Sequence, residues 1–322
     1  MKAICQERYG SAETLALRNV PVPVPGDDEV LVRVRAASVN AYDWHLMRGD
    51  PRLPARLSFG VRRPKARIRG RDFAGVVEAT GRDVDRFEPG DEVYGEVDGT
   101  FAEYVCVPDG TVAEKPANLS FEKAAAMPLA AGTAVAGLRD RAGVTAGQHL
   151  LINGASGGVG TYAVQYAAHI GAEVTGVCSA RNADLVRSLG AGRVIDYAAE
   201  DFTRDRYDVV LDLVGTRRLR DLRRALEPGG TLVVGGGGTP GQLLGAVKLV
   251  IATTATNPFV RERLLPLVGP NPSVEGLNRL RELAETKALK PVIERTYPLA
   301  EAPDAIRHME TEHARGKLVI TV

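Results

Sequence analysis

A glycine-rich turn near the middle of the chain constrains the fold more than any other feature. Residues 150–160 read LLINGASGGVG, an apolar strand followed by a turn that contains four glycines. The next segment, Thr161 to Ile170, has the pattern of a helix. Backbone N–H groups at the start of a helix lack partners, and the helix dipole is positive there, so such a turn attracts a phosphate. The pattern therefore predicts a dinucleotide site, and a dinucleotide implies hydride transfer.

Strands and helices alternate on both sides of this turn. The predicted strands cover 149–153, 173–178, 193–196, 208–212 and 230–235. The predicted helices cover about 160–170, 182–189 and 217–226. Strands that alternate with helices in this way form a parallel sheet covered on both faces. The central part of the chain is therefore predicted to be an α/β dinucleotide-binding domain.

The first third of the chain has a different pattern. Residues 28–37 alternate apolar and polar side chains, which is the period of a half-buried strand. Short strands follow around 75–79, 92–94 and 101–107, separated by turn sequences such as EPGD and PDG. This pattern predicts a partly closed β-barrel.

We predict that the α/β domain is inserted into this β-domain. Ser120 can cap a helix over Phe121 to Met127, and the alternation of strands and helices begins beyond it. Residues 292–322 read as strand, helix and strand, and we expect them to return to the first domain. The predicted β-domain covers 1–122 and 290–322, and the predicted dinucleotide-binding domain covers 123–289.

Composition excludes several classes of partner. The 322 residues carry a formal net charge of +1, which disfavours nucleic acid or an anionic membrane as the main partner. No apolar run is long enough to span a bilayer, and the first residues lack the apolar core of a signal peptide. Cys5, Cys106 and Cys178 lie far apart, so we expect free thiols and a cytoplasmic location.

Residues near the turn indicate which dinucleotide binds. We expect phosphate contacts from Ser156, Gly157, Gly158, Val159 and Gly160. An NAD site usually has an acidic residue after the second strand, where it binds the ribose 2′-hydroxyl. This chain has Ser179 and Arg181 there, and these suit a 2′-phosphate instead. The sequence therefore predicts NADPH.

Seven motifs in order resemble one family. Besides the glycine turn they are Ser38–Asp43, Gly70–Val77, Phe87–Val93, Thr100–Tyr104, Leu129–Ala134 and Arg315–Ile320. Together they resemble the medium-chain dehydrogenase/reductase superfamily, in its zinc-independent, quinone oxidoreductase-like branch. The resemblance implies a Rossmann dinucleotide-binding domain inserted in a GroES-like, partly open β-barrel domain, and a homodimer.

The same resemblance implies cofactor contacts in both domains. They are Asn40 and Thr133 at the nicotinamide, Tyr197 and Lys317 at the 2′-phosphate end, Val214 and Gly215 after the fourth strand of the sheet, and Gly235, Gly236 and Gly237 after the fifth. Parallel sheets bind ligands at the carboxyl ends of their strands, in agreement with the last two groups.

Zinc is not expected. Members of the zinc branch have a cysteine where this chain has Asn40, and a histidine and an acid where it has Arg71 and Asp72. Three scattered cysteines cannot form a four-thiolate site. Without a metal to stabilise an alkoxide, the favoured reaction is hydride transfer to a quinone or an α,β-unsaturated carbonyl.

The candidate catalytic residues follow the first long strand. Asn40, Tyr42 and His45 are expected in a loop there, with Asn40 donating to the substrate oxygen or to the cofactor carboxamide. His45 titrates near neutral pH and is the candidate proton donor, while Asp43 is expected to hold the loop in place.

Two other functions fit the same sequence. One is an NADPH-binding regulatory or structural protein with little turnover. The other is an alcohol or carbonyl oxidoreductase. Steady-state oxidation of NADPH with a panel of acceptors distinguishes the first from a reductase.

Overall fold

The computed structural model describes residues 1–50, 60–61, 63–235, 247–267, 273–312 and 314–322. The chain divides into two units by its internal contacts. Unit 1 combines Met1–Gly132 with Asn271–Val322, and unit 2 is Thr133–Pro270. These boundaries differ from the predicted ones, since unit 1 extends ten residues further at the first boundary and takes up residues 271–289 at the second.

Fifteen strands are found in the described part of the chain. They are β1 (Lys2–Gln6), β2 (Leu15–Asn19), β3 (Glu29–Val39), β4 (Asp72–Thr80), β5 (Glu92–Glu96), β6 (Tyr104–Pro108), β7 (Val112–Glu114), β8 (His149–Asn153), β9 (Glu173–Cys178), β10 (Arg193–Asp196), β11 (Tyr207–Asp212), β12 (Leu226–Gly235), β13 (Arg263–Leu267), β14 (Ile293–Pro298) and β15 (Lys317–Thr321).

The α-helices of the same residues are α1 (Ala41–Arg48), α2 (Phe121–Ala125), α3 (Pro128–Val135), α4 (Gly158–His169), α5 (Ala183–Ser188), α6 (Leu219–Arg224), α7 (Val247–Thr256), α8 (Val274–Glu285) and α9 (Ala302–Glu312). A wider, π-type helical segment, Ala136–Ala142, continues from α3. Within the described ranges, no helix is both long enough and apolar enough to cross a bilayer.

Unit 2 contains a parallel six-stranded sheet in the order β10-β9-β8-β11-β12-β13. Side chains such as Leu151, Val177, Ile195, Val210 and Val234 are buried in its core. The strands are apolar almost throughout because helices cover a parallel sheet on both faces. The predicted strands and helices of this region are confirmed, with ends that differ by a few residues.

Unit 1 is built around the long strand β3. One edge of β3 pairs with β4 along most of its length. The other edge pairs with β6 over Glu29–Arg33 and with β15 over Ala36–Val39. The rest of this sheet follows the order β14-β15-β3-β4-β5-β7. Strand β3 thus joins strands from both ends of the chain in one sheet.

Helix α8 belongs to unit 1, which explains the shifted domain boundary. The Tyr94 hydroxyl donates to the backbone oxygen of Leu277 at 2.6 Å, and the Asn118 amide donates to that of Ala284 at 2.9 Å. The apolar periodicity of this helix predicts its existence but not the sheet on which it packs.

Candidate functional site

The glycine turn has the geometry of a phosphate-binding turn. Helix α4 begins just after Gly157, and Gly154 has a φ of +90°, which favours glycine. A Cβ atom at Gly160 would lie 2.1 Å from the Gly154 oxygen, so only glycine lets the helix approach the turn this closely. At Gly157 the nearest atom to such a Cβ would be that same oxygen at 3.4 Å, which leaves room for a ligand.

The first turn of α4 presents the donors that a pyrophosphate needs. Gly158, Val159 and Gly160 occupy the first helical positions, where N–H groups have no acceptor within the helix. The Ser156 hydroxyl accepts a hydrogen bond from the Asn182 amide at 3.0 Å, so its own hydrogen stays available for a ligand. Asn182 is buried and was not singled out from the sequence, because an asparagine at a helix start is usually only a cap.

Three further predicted cofactor residues lie at the carboxyl ends of β9 and β10. Ser179 is half-buried, Arg181 is exposed, and the Tyr197 side chain is 59% exposed. The backbone N–H of Tyr197 donates to the Cys178 oxygen at 3.3 Å, which brings the two strand ends together. Asp196 ends β10, and its carboxylate accepts the N–H of Ala198 at 3.1 Å.

The loop after β11 is held by a carboxylate that the sequence analysis missed. Val214 and Gly215, both predicted to lie near the cofactor, donate their backbone N–H groups to Asp212 Oδ1 at 3.2 Å each. The Asn153 amide donates to the same oxygen at 2.8 Å. A polar residue at the end of each of two apolar strands is the signal that could have found this pair.

Thr133 and Gly235 are the remaining predicted cofactor residues of unit 2 that the structure describes. Thr133 is half-buried on α3, and Gly235 ends β12, where an added Cβ would lie 2.9 Å from the Leu267 side chain. Gly236 and Gly237 lie outside the described residues.

The candidate catalytic residues of unit 1 begin a helix and do not form the predicted loop. Asn40 directly precedes α1, and its backbone N–H donates to Asp43 Oδ2 at 2.7 Å. That bond satisfies a backbone group at the helix start, as in half of a capping box. Asp43 therefore holds this segment, in the role the sequence suggested.

Asn40 belongs to a buried group that we call the polar cluster (Ser38, Asn40, Asp72 and Lys317). The Asn40 amide nitrogen donates to Asp72 Oδ2 at 2.9 Å and to the backbone oxygen of Ser38 at 3.4 Å. Its amide oxygen accepts from the Lys317 ammonium. The side chain is thus bonded at both ends, which does not support the prediction that it donates to the substrate or the carboxamide.

Lys317 also differs from its prediction. Its side chain is 2% exposed, and its ammonium donates to the Val39 oxygen at 3.1 Å and lies 3.6 Å from Asp72 Oδ2. Burial lowers the pKa of Lys317, and the neighbouring carboxylates of Asp72 and Asp43 oppose that effect. An ammonium with its donors directed to these interior oxygens is not available to a 2′-phosphate, so that assignment is replaced by a role in holding Asn40.

Other ionisable groups surround the polar cluster. Burial raises the pKa of Asp43 to about 7. Burial, and then the nearby Asp72 carboxylate, raise the pKa of Glu96 to about 7. Arg71 Nε donates to Glu96 Oε2 at 3.1 Å, which limits this increase. Arg71 therefore takes part in an ion pair at the position where the zinc branch has a histidine.

Tyr42 and His45 have environments that separate their roles. Burial, and then the Asp98 carboxylate, raise the pKa of Tyr42 to about 12, so the phenol stays protonated, and its hydroxyl donates a long hydrogen bond to Asp98 Oδ1 at 3.5 Å. His45 Nδ1 lies 3.0 Å from the Asp50 carbonyl oxygen, which can only accept, so we place the hydrogen on Nδ1. Burial lowers the pKa of His45. A neutral ring with a bare Nε2 is a poor proton donor, contrary to the prediction.

The described part of the chain contains no group of three or more His, Cys, Asp or Glu side chains placed to hold a metal ion. Two of the three positions named above as ligands in the zinc branch are bonded to other groups, Asn40 to Asp72 and Lys317, and Arg71 to Glu96. Asn40 and Arg71 are therefore engaged in hydrogen bonds within unit 1.

Unit 2 has the parallel sheet, the glycine turn and the helix start of a dinucleotide-binding oxidoreductase domain. Family models match two stretches of the chain. Residues 26–117 match the alcohol dehydrogenase GroES-like domain, and residues 189–320 match the zinc-binding dehydrogenase domain.

Similar proteins define the family more closely. The chain is 34% identical to a 2-methylene-furan-3-one reductase of Solanum lycopersicum over 99% of its own length and 79% of that protein. It has the same identity and coverage with an NADPH-dependent alkenal/one oxidoreductase of Arabidopsis thaliana. The quinone oxidoreductase of Coxiella burnetii has a similar structure, with a TM-score of 0.85, 32% identity, and coverage of 100% of this chain and 99% of that one.

The chain belongs to the medium-chain dehydrogenase/reductase superfamily, in the branch of quinone oxidoreductases and enone reductases. The predicted fold class, a Rossmann domain with a GroES-like domain, is confirmed.

Proposed function

We propose that this protein is an NADPH-dependent, zinc-independent reductase that delivers hydride to a quinone or an α,β-unsaturated carbonyl. The relatives support the substrate classes, since their names include an alkenal/one oxidoreductase and a quinone oxidoreductase. The name of the Arabidopsis relative also supports NADPH as the cofactor.

The observation that carries the proposal is the set of groups at the carboxyl ends of β9 and β10. A hydroxyl (Ser179), a guanidinium (Arg181) and an exposed phenol (Tyr197) are found there. The first two follow β9, at the place where an NAD site has a carboxylate. The Asp196 carboxylate nearby accepts a backbone N–H of its own turn, so it is engaged in local structure. A hydroxyl and a guanidinium favour a 2′-phosphate.

The residues of the chain have separate tasks in this proposal. The Ser156 hydroxyl and the N–H groups of residues 158–160 bind the pyrophosphate, and bound NADPH supplies the hydride. Tyr42 is our candidate donor to the oxygen of the substrate, where negative charge develops as hydride adds to the conjugated carbon, and this donation would replace its 3.5 Å hydrogen bond to Asp98. A phenol with a pKa of about 12 keeps its proton at neutral pH, so it stabilises that charge by a hydrogen bond. We assign the final proton to water.

The zinc-independence rests on the partners of two residues. Asn40 and Arg71 are bonded to other side chains of unit 1, and neither is a good zinc ligand. Metal analysis of the purified protein tests this part, and one zinc ion per chain together with loss of activity on chelation would contradict it.

The main experiment measures the preference for NADPH over NADH before and after Arg181→Glu. Charge-assisted hydrogen bonds contribute about 1.5–3 kcal/mol, so the substitution should raise KM for NADPH about 10- to 100-fold and leave KM for NADH nearly unchanged. Arg187→Glu is the control, because this arginine lies on α5 and pairs with Asp184. An unchanged preference in Arg181→Glu would remove Arg181 from the site.

Turnover itself distinguishes the reductase from the alternatives. We expect NADPH oxidation with quinones or enones, and tight NADPH binding without turnover of any acceptor would favour the regulatory protein.

We also propose a homodimer and a cytoplasmic location. The three cysteines are free thiols, as a reducing compartment requires.

A further inference from the structure

Two buried polar residues end adjacent strands in the middle of the unit 2 sheet. Asn153 is the final residue of β8 and is 6% exposed, and Asp212 is the final residue of β11 and is 0% exposed. The two are directly opposite each other in the register of the strands. Burying an amide and a carboxylate costs free energy unless their hydrogen bonds are satisfied, so this pair requires an explanation.

Their hydrogen bonds join the two strand ends to the following loop. Asp212 Oδ1 accepts the Asn153 amide at 2.8 Å and the backbone N–H groups of Val214 and Gly215 at 3.2 Å each. The Asn153 backbone oxygen accepts the N–H of Leu213 at 3.1 Å. Every backbone N–H from 213 to 215 is thus bonded to one of these two residues, which we call the strand-end brace (Asn153 and Asp212).

The brace lies at the point where the order of the strands reverses. From β8 the chain proceeds outward to β9 and β10, and then returns to the other side of β8 to form β11, β12 and β13. Open α/β sheets bind dinucleotides at this point, with one half of the ligand on each side. The side chains proposed to bind the 2′-phosphate follow β9, so the other half of the ligand, with the nicotinamide, falls on the side of β11.

The brace also connects the loop to the glycine turn. Gly154 directly follows Asn153 and begins the turn, with a φ of +90°. The Val214 side chain would lie 3.0 Å from a Cβ atom at Gly154, so loop and turn are in close contact. A change in the path of residues 213–215 would therefore alter the surface beside Gly154, at the β11 side of the turn.

We propose that the strand-end brace is a positioning device that shapes loop 213–215 for the nicotinamide half of NADPH. This inference rests on the proposed function, since it takes NADPH as the ligand. Asn153 and Asp212 act through the loop backbone and are not catalytic residues.

The two carboxylate oxygens of Asp212 differ in their hydrogen bonds. Oδ1 accepts all three hydrogen bonds, whereas Oδ2 is buried and has no hydrogen-bond partner in the described part of the chain. An asparagine at 212 keeps an oxygen in the position of Oδ1, so it preserves the loop. A leucine has nearly the same shape and removes all three bonds.

The experiment compares the binding of NADPH with that of adenosine 2′,5′-bisphosphate, which contains only the 2′-phosphate half. For Asp212→Leu we expect at least tenfold weaker binding of NADPH and binding of the fragment within twofold of wild type. For Asp212→Asn we expect both affinities within threefold of wild type. Asp208→Leu is the matched control, because it removes a carboxylate from β11 that bonds the backbone of His149 at 2.8 Å.

Several outcomes would overturn the proposal. They are equal losses for NADPH and the fragment in Asp212→Leu, no loss of NADPH affinity in that variant, or a loss in Asp212→Asn as large as in Asp212→Leu. If Asp212→Leu does not fold, Asn153→Ala replaces it, with an expected NADPH loss of about threefold and an unchanged fragment affinity. Wild-type protein that binds no NADPH would refute the proposed function as well, whereas normal wild-type binding with insensitive variants refutes the brace alone.

Discussion

Replacing Lys317 by methionine tests the buried ion pair of unit 1. Methionine has a similar length but no charge, so Asp72 loses the ammonium 3.6 Å from its Oδ2. The Asn40 amide oxygen and the Val39 oxygen lose their shared donor as well. Asp72 keeps hydrogen bonds from Ser38, from Asn40 and from the N–H of Leu129. The variant thus leaves a buried, hydrogen-bonded carboxylate without a cation.

The expected cost is large because both partners are almost fully buried. Removing one partner of a buried ion pair typically costs 3–5 kcal/mol, about a third of the stability of an ordinary domain. For a unit of this size, 1 kcal/mol corresponds to about 2–4 °C in Tm, so we expect unit 1 to melt about 6–20 °C lower. The double variant Lys317→Met with Asp72→Asn should be more stable than Lys317→Met alone, because no uncompensated charge remains.

Calorimetry is the suitable assay, since two units can unfold in separate transitions. The exposed Lys123 on α2 provides the control, and Lys123→Met should change Tm by less than about 1 °C. A fall of less than about 2 °C in Lys317→Met would refute the view that the substitution leaves a buried carboxylate, that of Asp72, without a compensating charge. The same conclusion would follow from a double variant that is less stable than the single one.

Two further predictions concern ionisable residues of unit 1. Burial raises the Asp43 pKa from 3.8 to about 7, with Asp72 adding to the rise and Lys317 and Arg69 opposing it. The folded chain therefore retains a proton that the unfolded chain has lost, and the free energy of unfolding should fall as pH rises from about 4 to 7. Asp43→Asn should make this dependence shallower in denaturant titrations at several pH values, with Glu96 still contributing its own part, and an equally steep profile would contradict the assignment. His45→Phe should keep turnover within about twofold of wild type, because a neutral histidine bonded to the Asp50 carbonyl donates no proton. A tenfold fall in kcat with unchanged NADPH affinity would restore His45 as the proton donor.

The architecture of unit 2 could be predicted from the sequence because its signals are local. Strand β8 has an apolar centre and is followed by the glycine-rich turn, and β9 and β10 were predicted with the ends that the structure has. Each of these segments is bounded by turn residues within a few positions. The assignment of α8 failed for the opposite reason, since the sheet on which a helix packs depends on contacts such as that of Tyr94 with Leu277.

The candidate site was predicted only in part, because burial and partners are not visible in a sequence. Lys317 follows a glycine at the start of a strand, where a lysine is usually exposed, yet here it is buried beside Asp72. Asn40 was expected to face a ligand, but both ends of its amide are bonded within unit 1. Asp212 escaped attention because a single aspartate at the end of an apolar strand is common.

The pairing of β3 with β15 has a consequence for the synthesis of the protein. The Lys317 ammonium and its Val39 acceptor are separated by 278 residues in the chain. While the ribosome is still making unit 2, residues Ala36–Val39 have no β15 to pair with and present an open strand edge. Such edges attract other chains, and contacts between distant segments form slowly. We therefore expect the yield of native protein to depend on chaperones or on low temperature during expression, and a nascent chain that stops before residue 317 to aggregate.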